Sequence, residues 1–310
     1  MEFALEILYY GALLLAQVGQ TTKQYAMKLC GRRTAGEFNS VCINMARAVI
    51  CLIVSAVIWL ACGGGTTNAF GHFLIIAAGI GTALNLFTWI LASAMVPLML
   101  IESVSMIGSL VLPLILAPHL YNGDTVKPVQ WVGCALVFMS IFFFMNKDTG
   151  EKKQVSALKK AVMVIACVAS GTVSLMFKKH YTFHITAKGL GGVEYYTFLG
   201  FVTVLAVFLM LFAVFYSIEK KKLPDKSARV AFPYKKVWIY ILLAAVALYV
   251  NELFTSYATN LPSAIFYTLS RGLIVLGSFL LDVIAFKDKV TVKKLIGLFI
   301  VITAIILVNL

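Results

Sequence analysis

Several charged and amide side chains lie where this sequence offers them little water. Arg271 is near the middle of an apolar run, and Tyr267 precedes it at i−4, so a helix places both on one face. Glu102, Arg47 and the neighbours Asn251 and Glu252 lie inside other apolar runs. A charge at the bilayer centre costs about 2.5–3.5 kcal/mol on insertion, so one that is retained faces protein or a wet cavity. Arg271 is too deep to snorkel. Its expected role is counter-charge to an acidic cargo or partner of an embedded carboxylate. Glu102 and Glu252 are expected to meet cargo or to relay protons, with a structural pair to Arg271 as the alternative. Arg47 either snorkels, pairs structurally or touches cargo.

Neutral polar residues follow helical spacing around these charges. Asn251, Thr255 and Thr259 fall at i, i+4 and i+8, with Glu252 and Ser256 as an adjacent stripe. Thr82, Asn85, Trp89 and Ser93 form a second stripe, and Gln17 and Gln20 share a face. Such stripes line a central cavity, or they glue helices through interhelical hydrogen bonds; both readings stand. The expected cargo-binding set is therefore Arg271, Tyr267, Glu102, Asn85, Trp89, Asn251, Glu252, Gln17, Gln20 and Arg47.

Other candidate chemistry is thin. His180 and His184 stand at i, i+4 but read as loop residues beside Lys178 and Lys179. The six cysteines show no paired spacing and behave as small apolar residues. The turn Gly63–Thr67 has no lysine to make it a phosphate loop. No cofactor, metal or catalytic residue is implied, and the chain is not expected to be an enzyme.

The elements that carry these residues follow from composition. Of 310 residues 61% are hydrophobic and only 13% charged, and mean hydropathy is +0.93. No soluble core absorbs that excess, so the apolar residues face lipid. A helix crosses hydrocarbon with about 20 residues, and ten such runs occur. The first five are Phe3–Thr22, Ser40–Cys62, Gly71–Ala92, Met95–Ala117 and Pro128–Met145. The second five are Ser156–Phe177, Val193–Ser217, Val237–Thr259, Pro262–Phe286 and Thr291–Asn309. The expected fold is all-α and membrane-integral.

The net charge of +13 excludes little until its position is read. Outside Arg47 and Arg271, twenty basic residues flank one set of connectors and four (Lys127, Lys178, Lys179 and Lys188) flank the other. The positive-inside rule puts the rich set in the cytoplasm of a plasma-membrane protein, with both termini outside. Anionic headgroups, rather than nucleic acid, are the expected partners of those loops. Whether the chain acts as monomer or homodimer is left open.

The halves echo each other. Leu86–Thr88 recurs as Leu253–Thr255, Pro97 as Pro262, and Gly133 as Gly297, each about 165 residues apart, as an internal repeat requires. Residues 1–146 form one five-helix unit and 156–310 the other, joined by 147–155. Five spans per unit inverts the second, which places a binding site near the midplane between them.

This arrangement resembles the drug/metabolite transporter superfamily, in particular its EamA-type ten-helix members. The resemblance is carried by the order of spans, the tight turns before Pro97 and Pro262, the second span with Asn44, Met45, Ala46 and Arg47, and the closing stretch Thr291–Ile300. Ser270, Arg271 and Gly272 stand where that family often has proline, and Phe286, Lys287 and Asp288 where it often has glutamate. The resemblance implies a secondary transporter of a small polar or amphipathic metabolite, such as an amino acid or organic acid. A proton-coupled exporter of cationic drugs and a lipid-handling protein are the alternatives.

Overall fold

A computed structural model describes residues 2–34, 36–95, 127–144, 157–222, 232, 234–285 and 290–308. All regular elements among them are helical. The α-helices are α1 (Glu2–Arg33), α2 (Glu37–Ala61), α3 (Ala69–Met95), α4 (Pro128–Phe144) and α5 (Ala157–His184). They continue as α6 (Val193–Lys222), α7 (Trp238–Ala258), α8 (Ser263–Ile284) and α9 (Val292–Val308). Nine of the ten expected spans are thus helices. The fourth, with Glu102 and Pro97, lies outside the described residues.

The apolar runs become helices because a backbone in lipid must satisfy its own hydrogen bonds. Six helices (α2, α3, α5, α6, α7 and α8) are long and apolar enough to cross a membrane, and α4 and α9 are shorter apolar helices. The chain is a multi-pass helical membrane protein. Its outward faces are greasy: Ile53, Val57, Ile165, Met210 and Phe299 are all exposed.

Most helix ends fall close to the expected ones, with two corrections. The first helix runs on to Arg33, so Lys23 and Lys28 are helical rather than part of a loop. The fifth runs on to His184, so Lys178, Lys179, His180 and His184 are helical as well. Lys178 and Lys179 are buried, at 3% and 4% exposure. Hydropathy ends a span at consecutive lysines; buried partners on other helices are what let this one continue.

Four helix pairings build the bundle: α1 on α7, α3 on α5, α2 on α6, and α4 on α9. Further contacts join α3 to α6, α2 to α7, and α8 to both α1 and α9. One buried cluster joins α2, α3, α6 and α7 through Val41, Ala48, Ala83, Phe201, Phe208 and Leu248. Another joins α1, α2, α3 and α7 through Met27, Ile43, Ile90 and Ile241. The α1–α7 and α3–α5 pairs stand as two walls, and the space between them is polar.

Candidate functional site

That space is a cavity lined from α1, α3, α5, α7 and α8. Seven of the ten residues expected from sequence reach it: Gln17, Gln20, Asn85, Trp89, Asn251, Glu252 and Arg271. Thr82 and Thr255, members of the same stripes, line it too.

Three expected residues do not appear in the lining. Glu102 lies outside the described residues. Tyr267 is 1% exposed and packs among Ala12, Leu13 and Phe266 near one end of α8. Sharing a face with Arg271 was correct in azimuth, but the turn between them carries Tyr267 out of the wet zone. Arg47 is also 1% exposed, which rules out snorkelling in this structure. Its Nη1 donates to Asn44 Oδ1 at 2.8 Å and to Met27 Sδ at 3.1 Å, while Nε and Nη2 have no hydrogen-bond partner among the described residues.

The asparagines turn out to tie helices together. Asn85 Nδ2 donates to the Cys167 carbonyl at 2.8 Å, across the α3–α5 pair. Asn251 Nδ2 donates to the Ala16 carbonyl at 3.0 Å, across the α1–α7 pair. Glycine permits both approaches. A Cβ on Gly171 would stand 2.7 Å from Asn85 Nδ2, and one on Gly19 would stand 2.8 Å from the Ala247 carbonyl oxygen. Small residues at helix contacts with an amide bonding across them is the packing expected where no hydrophobic force separates helix from lipid.

The glutamines keep capacity for a ligand. Gln17 Nε2 donates to Ser270 Oγ at 2.9 Å. The Oε1 atoms of both Gln17 and Gln20 are buried with no hydrogen-bond partner among the described residues. Both residues line the cavity, so each offers an acceptor to a donor placed there.

Sequence reasoning missed the cations Lys23 and Lys178 and the hydroxyls of Thr172 and Ser174. Lys178 forms an ion pair with the Glu252 carboxylate. Its Nζ also donates to the Glu252 carbonyl at 3.3 Å and lies 5.6 Å from the Tyr196 ring centre. Ser174 Oγ bonds Thr82 Oγ1 at 2.6 Å. A signal for these was present: Gly171, Ser174 and Lys178 recur at i, i+3 and i+7, and extending the sixth span past Phe177 brings Lys178 onto the stripe.

Beyond Lys178 lies a layer of polar contacts that joins α5 to the end of α7 and each wall to α6. Lys179 Nζ donates to the carbonyls of Thr259 at 3.2 Å and Leu261 at 2.7 Å. Thr182 Oγ1 bonds Thr259 Oγ1 at 2.7 Å. Tyr257 donates its hydroxyl hydrogen to the Glu194 carboxylate, and His72 Nε2 bonds the Tyr195 hydroxyl at 2.9 Å. The His180 and His184 rings meet at a 57° tilt with centres 4.2 Å apart. No cluster of three metal-ligating side chains occurs among the described residues.

No family model matches the chain. No curated protein matches it. Among solved structures that do, a crystal structure of a protein of unstated function covers 97% of this chain and 98% of its own, with a TM-score of 0.67 and 13% identity. At that identity the likeness is one of fold alone.

Proposed function

We propose that the chain is a secondary carrier that moves a small polar or amphipathic metabolite, such as an amino acid or organic acid, by alternating access. The observation that carries this reading is a polar cavity, with Arg271 and Glu252 in its wall, enclosed by helices whose outer faces are apolar. A membrane protein keeps embedded charge where ions or solutes pass. On this reading the chain is an EamA-type member of the drug/metabolite transporter superfamily with ten spans, set in the plasma membrane with its basic loops cytoplasmic.

The helix pairings support two inverted halves. Exchange α1 for α5, α2 for α6, α3 for α7 and α4 for α9. The α1–α7 pair then becomes α5–α3, the α3–α6 contact becomes α7–α2, and α2–α6 and α4–α9 map onto themselves. The two asparagine bonds exchange in the same way: Asn85 to the Cys167 carbonyl, Asn251 to the Ala16 carbonyl. Inverted repeats place the cargo at the interface between halves, where rocking exposes it to either side. The basic bias also sharpens, because Lys178 and Lys179 are buried and leave only Lys127 and Lys188 on the sparse face.

Arg271 is the test. Arg271→Ala is expected to abolish uptake into proteoliposomes while the protein still inserts and keeps its helix content. Undiminished uptake by the variant removes Arg271 from the site. Export of organic cations is the second reading, favoured by the opening of Glu252 onto the cavity. Under it, flux persists in Arg271→Ala and vanishes in Glu252→Gln.

A further inference from the structure

The Lys178–Glu252 ion pair is lopsided. Lys178 is 3% exposed, and its ammonium is committed to the Glu252 carboxylate, the Glu252 carbonyl and the Tyr196 face. Glu252 is 20% exposed. One of its carboxylate oxygens meets Lys178; the other accepts no hydrogen bond from a described residue. Glu252 also lines two spaces, the main cavity and a smaller cleft walled by Gly79, Thr82, Tyr196 and Gly200. The carboxylate is reachable, and the lysine stands behind it.

A carboxylate alone in such a place is costly, and an ammonium at contact removes most of that cost. The pair also joins α5 to α7, beside the bonds of Lys179 and Thr182 to Thr259 and Leu261 at the end of α7. A cargo ammonium offers Glu252 the same charge and the same N–H donors as Lys178 does. A ligand tethered by the chain acts at an effective concentration on the order of millimolar, so Lys178 competes with any free amine. We propose that Glu252 is the subsite for the ammonium group of the cargo, and that Lys178 is a tethered competitor holding that subsite while the cavity is empty. The assignment rests on the carrier reading, and it narrows the cargo to primary or secondary amines. The Oε1 acceptors of Gln17 and Gln20, which bond no described residue, then meet the cargo's other donors.

The test is binding to the purified full-length chain in lipid nanodiscs, with n-butylammonium, zwitterionic leucine and hexanoate as probes. Lys178→Met should bind both amines more tightly, by roughly tenfold or more, since the competitor is gone while the carboxylate stays. Hexanoate binding should not tighten. Glu252→Gln should bind neither amine more tightly than the parent. The double variant Lys178→Met with Glu252→Gln replaces the pair by neutral groups of similar size, and should fold and show no gain for amines. Should Lys178→Met fail to fold, Lys178→Gln is read in the same way. Unchanged amine affinity without the lysine, no amine binding by either lysine variant, or tightening of hexanoate overturns the proposal. Flux of the same probes is scored separately. Amine binding that obeys the pattern without any flux removes the carrier reading and keeps the subsite; flux with amine affinity indifferent to Lys178 does the reverse.

Discussion

The two ends of the polar space between the walls are bounded by different chemistry. At one end Lys178, Lys179 and Thr182 of α5 reach across to Glu252, Thr259 and Leu261 by an ion pair and hydrogen bonds. At the other, Ala26 and Met27 of α1 meet Ile90 of α3 and Ile241 of α7 in an apolar cluster. Exchange of the halves would make these ends equivalent, with Lys178 near the place of Met27 and Glu252 near that of Asn85 or Leu86. Backbone pairings obey the exchange; the side chains between the walls do not. Polar contacts are directional, and they give way when their partners are replaced by others. Apolar packing is non-directional and responds to volume. One end is therefore suited to sense a charged ligand, and the other only to be packed or unpacked.

Glu252→Leu breaks the comparison hardest. It strands a buried Lys178, and losing one partner of a buried pair costs about 3–5 kcal/mol. Thermal unfolding in nanodiscs should show a large drop that the double neutral variant largely recovers. Equal damage in both variants would mean the charge itself matters little. At the apolar end, Ile90→Ala should cost about 2 kcal/mol, the low end for truncating a buried aliphatic residue. That loss should be insensitive to salt and to amine probes, whereas stability at the ionic end should respond to amines. Smallest is Thr182→Val, which deletes one hydroxyl pair to Thr259; interhelical hydrogen bonds in membrane proteins average about 0.6 kcal/mol. A loss several times larger would show that the polar layer acts as one cooperative unit.

The central cavity was partly legible in the sequence, for a physical reason that also explains the misses. Helical spacing tells which residues share a face, so the stripes Thr82–Asn85–Trp89 and Asn251–Thr255 were found and do line the cavity. Spacing does not tell how far along its axis a helix stays wet, so Tyr267 was placed beside Arg271 and sits in an apolar cluster instead. Nor does it tell which polar atoms are already used. Asn85 and Asn251 line the cavity, yet their amide nitrogens bond neighbouring carbonyls.

Composition and run length alone determined that this chain forms lipid-facing helices and where most of them begin and end, because backbone satisfaction in hydrocarbon is a local requirement that each segment meets by itself. Only the tertiary structure decided that Lys178 belongs to the buried interior of the bundle and that its partner is Glu252. A lysine in isolation reads as the end of a span. It becomes a buried cation when another helix brings a carboxylate to its height and azimuth, and that meeting depends on two segments far apart in the chain.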